Sequence, residues 1–301
     1  MKRNILKTLS LLLTISCFSS CLKDDSLILD PAKGTNVIEF ANPKQIDSPV
    51  GSVYPLYSFA YNLGGTVNQS FTVSYSGPVA NAPQDITVNL GIGTAAQITA
   101  YNTQESTSYT ILPSTMYTLN ATSIVIKAGT SKASFTVTFK PDLFSLSAAY
   151  VLPLSITSAS SSVVSGNFGT IFANVGARNN YEGNYLLKGR ITRNSASGPD
   201  PALSGVRNGT LVRTLTTLGQ YQNAFQTAWS NNSDVAGIAG LNVTIDPTTN
   251  KATVRATGNA TLKNTAGYDS RYDPATKTYY LAYDWGTAPS TRVAVDTLVR
   301  Q

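Results

Sequence analysis

Apolar and polar residues alternate through most of the first half of the chain. Residues 70–75 (SFTVSY) place Phe71, Val73 and Tyr75 on one face. Residues 85–90 (DITVNL), 123–126 (SIVI) and 133–139 (ASFTVTF) repeat that period of two, and 37–40 (VIEF) open the series. The period marks strands with one buried and one solvated face. Ile, Val, Thr, Phe and Tyr, which suit a pleated and half-buried surface, dominate these runs. Lys127-Ala128-Gly129-Thr130-Ser131 reads as a turn between two strands, with Gly129 free to take φ > 0. Residues 150–156 (YVLPLSI) form a further strand, and Pro153, which has no N–H to give a ladder, belongs at an edge or a bulge. The stretch 93–112 breaks the alternation. Its Ala95-Ala96-Gln97-Ile98-Thr99-Ala100-Tyr101-Asn102 predicts a short helical turn crossing between sheets.

The second half continues in strands, over 183–192, 209–215, 241–246 and 252–256. Two turns share one form, Asp246-Pro247-Thr248-Thr249-Asn250-Lys251 and Asp273-Pro274-Ala275-Thr276-Lys277. In each, Pro presets φ and Asp caps the turn from behind. Both predict antiparallel neighbours, as does the closing pair 278–285 and 292–298. Short strands with turn signals between them indicate an all-β chain. At about 150 residues per domain, the 301 residues divide in two. The expected organisation is a signal peptide over 1–20, a flexible tether over 21–35, a β-sandwich over 36–176 and a second β-domain over 179–301.

The N terminus is a processing segment. Lys2, Arg3 and Lys7 precede a short apolar run, residues 9–18, and Ser19-Ser20-Cys21 follows. The run is too short to span a bilayer. Phe18-Ser19-Ser20-Cys21 resembles the lipobox of a bacterial lipoprotein, with Phe where Leu is more common. The resemblance implies that Cys21 becomes the lipidated first residue and attaches the protein to a membrane. The other reading is an ordinary secreted protein with Cys21 unmodified. Cys17 leaves with the signal peptide, so the mature chain holds one cysteine and no internal disulfide. Leu22-Lys23-Asp24-Asp25 is similar to the acidic export tag of surface-exposed Bacteroidetes lipoproteins, which implies an outer-membrane, surface location.

A wider resemblance rests on Tyr101-Asn102, Tyr109-Thr110-Ile111-Leu112-Pro113, Tyr117, residues 124–129 (IVIKAG) and residues 150–156. In this order they resemble a domain of unknown function at the N terminus of Bacteroidetes surface lipoproteins, many tied to glycan-utilisation loci. The type is also found ahead of family-18 endo-N-acetylglucosaminidase domains. It implies an immunoglobulin-like β-sandwich and carries over no catalytic residue. Tyr181-Glu182-Gly183-Asn184-Tyr185 and residues 272–281 are similar to the C-terminal domain of those lipoproteins, which implies a lipocalin-like antiparallel barrel or curled sheet.

Composition narrows the chemistry. The chain has no histidine, which excludes Ser-His-Asp and Cys-His nucleophiles and His-ligated metals. Its formal charge of +6 owes three bases to the signal peptide, so 19 basic residues then face 16 acidic ones. The remaining bases are scattered, and no run tracks a phosphate backbone; no nucleic-acid partner is expected. Only three Glu occur, Glu39, Glu105 and Glu182, and most Asp fall in turns. No acid–base pair suited to glycoside hydrolysis stands out. No enzyme, cofactor or metal is expected. Ser230-Asn231-Asn232-Ser233-Asp234 offers oxygen ligands, but with a single carboxylate it reads as a polar loop with Asx turns.

Aromatic residues remain. Exposed Trp and Tyr rings stack on the apolar faces of sugars beside amides that reach hydroxyls. Trp229, with polar neighbours, is the leading candidate, joined by Tyr221, Asn231, Tyr272 and Trp285, and more weakly by Tyr268. Tyr279, Leu281, Tyr283 and Trp285 share one face and read as a core stripe. The expected function is a non-catalytic lipid-anchored surface protein that captures poly- or oligosaccharides. An adhesin or structural protein holding protein or matrix partners at the cell surface is the alternative.

Overall fold

The computed structural model describes residues 34–301; the signal peptide, Cys21 and nearly all of the tether lie outside them. The strands of the first part are β1 (Val37–Phe40), β2 (Leu56–Asn62), β3 (Val67–Ser76), β4 (Ile86–Ile92), β5 (Thr110–Ile111), β6 (Tyr117–Leu119), β7 (Ser123–Ile126), β8 (Lys132–Phe139), β9 (Tyr150–Ala159), β10 (Val163–Val164) and β11 (Thr170–Arg178), with one helix, α1 (Ala95–Glu105). They form two sheets, ordered β10-β1-β3-β8-β6 and β2-β11-β9-β4-β7. Most pairs are antiparallel, but β2 runs parallel to β11 and β1 parallel to β10. The inward residues of the two sheets interdigitate: Ile38, Phe40, Phe71, Val73, Val137 and Phe139 from one, Tyr57, Ile86, Val88, Leu152, Leu154 and Ile171 from the other. This is the expected sandwich.

Two details differ from expectation. Pro153 sits in β9, an interior strand, paired opposite Phe172. Its partner on the other side, β4, ends at Ile92, and the Pro153 carbonyl accepts from the Gly93 N–H. The missing N–H therefore falls where the neighbouring strand has stopped, a local edge inside the sheet. The helix is also longer than one turn. Thr94 and Gln97 form a reciprocal capping box, which anchors its start. It does not simply bridge the sheets, since Ile98 and Tyr101 pack on Leu56, Val151 and Phe172, the outer face of the second sheet.

The second part contains β12 (Gly183–Ser195), β13 (Gly198–Pro199), β14 (Gly205–Gly219), β15 (Gln222–Ala224), β16 (Leu241–Ile245), β17 (Ala252–Ala256), β18 (Lys263–Asn264), β19 (Arg271–Asp273), β20 (Thr278–Trp285) and β21 (Arg292–Arg300). They make one antiparallel sheet, ordered β17-β16-β15-β14-β12-β21-β20-β18, with β19 also on β20. Chain neighbours are sheet neighbours, and β21 returns to β12, so the sheet curls into an up-and-down barrel. The Asp-Pro turns join β16 to β17 and β19 to β20 antiparallel, as expected. The two ends of the sheet meet through one side chain and a short backbone bridge, Lys251 opposite Arg271. Asn264 Oδ1 accepts from the Val254 N–H (2.7 Å) and Asn264 Nδ2 donates to the Ala252 carbonyl (2.7 Å). Below it, the Ala252 N–H donates to Ser270 O and the Tyr272 N–H to Asn250 O. A carboxamide thus continues the ladder where no strand pairs.

The barrel is filled. Tyr185, Leu187, Leu215, Phe225, Val243, Val254, Tyr279, Leu281, Tyr283, Trp285 and Leu298 pack in its interior. Among them lies a buried ion pair, Arg207 of β14 with Asp296 of β21, both side chains almost fully enclosed. Arg207 also donates to Thr227 Oγ1 (2.8 Å) and to the carbonyls of Ala228, Arg190 and Val295. The second oxygen of Asp296 accepts from Thr227 Oγ1 (3.0 Å) and Tyr283 Oη (2.7 Å). Gly189, at φ +115° near a bulge that β14 makes against β12, lets the Val295 carbonyl come close; a Cβ there would strike that oxygen.

Candidate functional site

Sandwich and barrel meet at a short joint, Arg178-Asn179-Asn180-Tyr181. Asn179 is only 3% exposed and fastens the joint to the barrel. Its backbone N–H donates to Thr217 Oγ1 (2.9 Å), and its Nδ2 donates to the carbonyls of Gly219 (2.8 Å) and Gln222 (3.1 Å). Asn179 and Asn223 also exchange amide hydrogen bonds of 2.9 and 3.0 Å. Asn179 Oδ1 accepts from the Tyr181 N–H (3.0 Å), which sets the ring that follows. On the sandwich side the Leu63 N–H donates to the Arg178 carbonyl (2.8 Å), and both carboxylate oxygens of Asp142 hold the N–H groups of Gly64 and Gly65. Each half of the joint is therefore tied to its own body.

A crevice of about 420 Å³ opens at this joint, lined by Asn62 and Arg178 from the sandwich, by Asn179, Asn180 and Tyr181, and by Tyr272, Pro274, Lys277 and Arg300 of the barrel. One ring in its lining, that of Tyr181, is half-buried, and it rests on Tyr272, which is 6% exposed. The Tyr181 and Tyr272 rings meet edge to face with centroids 5.0 Å apart, and Tyr272 in turn lies 4.8 Å from Tyr279. Burial pushes the phenols of Tyr181 and Tyr272 up, and Tyr221 adds to the effect at Tyr181; Arg300 opposes it at Tyr272. These are the protonated, hydrogen-bond-donating forms. The Arg300 guanidinium spans the wall, donating to the carbonyls of Asn180 (2.7 Å) and Glu182 (2.8 Å). Lys277 closes the Asp273 turn at φ +50°, beside Arg300 through the Arg300 N–H on the Lys277 carbonyl. Rings, amides and cations thus converge in one concave place between two bodies, a common position for small-molecule sites.

Of the aromatic and amide residues picked out from the sequence, Tyr272 lines this crevice and Tyr221 stands near Tyr181. The others lie elsewhere. Trp229 is 8% exposed and packs in the barrel core with its ring 6.3 Å from that of Trp285, so it offers no open face to a sugar. Trp285 is buried too, within the core stripe. Asn231 is exposed, but its Oδ1 accepts from the N–H and hydroxyl of Ser233, an Asx turn. Asp234 of that loop is paired with Arg213 (2.7 Å). The polar neighbours of Trp229 serve turn geometry. Tyr268 is exposed at the rim of a separate hollow. A second cleft, of about 240 Å³, lies along Phe225–Thr227 and Asp234–Leu241, with Arg213 and Thr216 beyond it.

Arg178, Asn180, Tyr181, Lys277 and Arg300 escape sequence reasoning. The Arg-Asn-Asn-Tyr run at the domain boundary is the one local signal; Lys277 and Arg300 meet only because β20 pairs with β21, Thr278 opposite Val299. Among the described residues, no group of three or more His, Cys, Asp or Glu could hold a metal. Asp296 has both carboxylate oxygens engaged inside the barrel and its side chain fully enclosed.

Residues 42–163 match a family model whose description reads "-like, N-terminal domain". No curated protein matches the chain. Among solved structures, two proteins of unknown function from Bacteroides ovatus are similar at 17% identity. One, with a TM-score of 0.63, covers 89% of this chain and 95% of its own; the other, at 0.54, covers 87% and 94%. A multidomain protein including DUF1735, also from Bacteroides ovatus, has a TM-score of 0.50 at 17% identity over 87% of this chain and 94% of that one. The chain is thus similar in fold, over most of its length, to Bacteroides proteins of unknown function, and the stretch that matches the N-terminal-domain model lies within its sandwich.

Proposed function

We propose that the protein is a non-catalytic saccharide-binding lipoprotein of the outer-membrane surface, and that the crevice at the joint is where it holds its ligand. The observation that carries this reading is the convergence of the half-buried Tyr181 ring, backed by the buried Tyr272, with Asn62, Asn180 and cationic side chains in one pre-shaped crevice. Rings of this kind cover the C–H faces of a sugar while amides and phenols reach its hydroxyls. The carboxylates of the described residues support binding rather than turnover, since those in the turns cap backbone and Asp296 is sealed in the core. Lipid attachment at Cys21 rests on the lipobox resemblance; a Cys21→Ala chain that still takes up labelled fatty acid refutes it.

Isothermal titration of the mature chain with oligosaccharide panels tests the site. Tyr181→Ala is expected to weaken binding by about fivefold to a hundredfold, because a stacked ring contributes on the order of 1–3 kcal/mol. Unchanged affinity in Tyr181→Ala places the ligand elsewhere and refutes the crevice. A protein-binding reading draws on a different observation: Val206, Val212 and Leu218 stand exposed on the outward face of β14. Surface cross-linking that captures a discrete protein through that face, with no saccharide bound, favours it.

A further inference from the structure

We infer that the saccharide held in the crevice is acidic, bearing carboxylate or sulfate groups; the inference rests on the crevice reading above. Three cations line the crevice, Arg178, Lys277 and Arg300, and no carboxylate does. Lys44, Lys127, Arg193, Arg207, Arg213 and Arg271 each have an acidic partner, at Asp47, Asp85, Asp200, Asp296, Asp234 and Asp269. Among the described residues, none of the crevice cations lies within ion-pair distance of a carboxylate. Pairing alone does not set these bases apart, since Lys132, Lys188, Arg255 and Arg292 also have no carboxylate within ion-pair distance among the described residues; their shared place in one concave lining does. The nearby acids face other ways. Glu182 Oε2 accepts from the Thr217 hydroxyl (2.6 Å) and N–H (3.1 Å), and Asp273 Oδ1 accepts from the N–H groups of Ala275 and Thr276.

Three like charges along one crevice raise its positive potential, which favours an anionic ligand over a neutral one. Arg300 is fixed by its two carbonyl contacts, which orient the guanidinium without neutralising it. A planar guanidinium of this kind matches carboxylate and sulfate oxygens, while Arg178 and Lys277, both exposed, supply charge from the two sides. The half-buried Tyr181 ring then takes the sugar ring that bears the charge. Uronate and sulfated oligosaccharides share this chemistry.

The test titrates the mature chain with an oligogalacturonate, a sulfated chondroitin oligosaccharide and a neutral manno-oligosaccharide of equal length, at low and high salt. Acidic oligosaccharides are expected to bind, more weakly as salt rises, and to lose about threefold to fivefold for each charge removed in Arg178→Gln and Lys277→Gln. Both sites are exposed, so the fold stays intact in these variants. Preference for oligogalacturonate or for the sulfated chain names which anion the site takes. Binding of the neutral sugar alone, lost in Tyr181→Ala and indifferent to the two charge variants, overturns this inference and leaves the crevice reading standing. Absence of binding to every saccharide overturns both.

Discussion

Replacing Asp296 by Ala should uncouple the barrel from the inside. The change strands the Arg207 guanidinium in the core, where Asp296 is its only anionic partner and where Thr227 and Tyr283 also lose their acceptor. Breaking a buried pair by removing one partner costs about 3–5 kcal/mol, because the remaining charge has no water to return to. For a unit of this size that is a fall in melting temperature of roughly 10–20 °C. Trp229, Trp285 and Tyr283 surround or touch the pair, so near-ultraviolet circular dichroism follows the barrel transition directly. The double variant Arg207→Met with Asp296→Ala removes both charges and should regain most of the loss, since an apolar replacement of a buried pair is often neutral or better. The coupling energy from the cycle should exceed about 1 kcal/mol. A single Asp296→Ala variant that melts within about 1 kcal/mol of the parent, or a double variant no better than the single, refutes the account.

Three further outcomes follow from local physics. Gly189→Ala should destabilise the barrel by more than the roughly 1 kcal/mol of an ordinary glycine site, because φ is +115° and the new Cβ meets the Val295 carbonyl; an unaltered chemical-denaturation midpoint counts against it. Tyr279 Oη is buried with no hydrogen-bond partner, so Tyr279→Phe should raise the melting temperature, and a clear fall contradicts the accounting. Burial raises the Tyr57 phenol to about 12, so its neutral form favours the folded state. That contribution is complete below pH 10 and is lost as pH rises toward 12; a pH titration of stability that stays flat over this interval refutes it.

How much could be read from the chain follows from how local each signal is. The strands of β3, β4, β8 and β20 were legible because one face meets the core and the other meets solvent, which writes a period of two into the sequence. The Asp-Pro turns were legible because three adjacent residues set them. The helix was under-read because its apolar positions, Ile98 and Tyr101, are too few to make a stripe; the Thr94/Gln97 capping box was the available signal. Trp229 misled because its polar neighbours serve an Asx turn, a backbone need that looks like a ligand-binding loop in one dimension. Of the crevice only Tyr272 was legible, since Tyr181, Tyr272 and Arg300 are brought together by the closure of the barrel onto the joint.

The carboxamide seam of the barrel has a consequence for crowding. A curled sheet that stopped short of closing would show two unpaired strand edges, and such edges recruit the edges of other molecules. Asn264 occupies the bonding groups of Val254 and Ala252, and so leaves β17 without an open ladder at that point. That amide and the Lys251–Arg271 bridge below it therefore stand between a self-contained barrel and a surface able to template its own copies. Neighbouring molecules can be packed at high density without their sheets growing into one another.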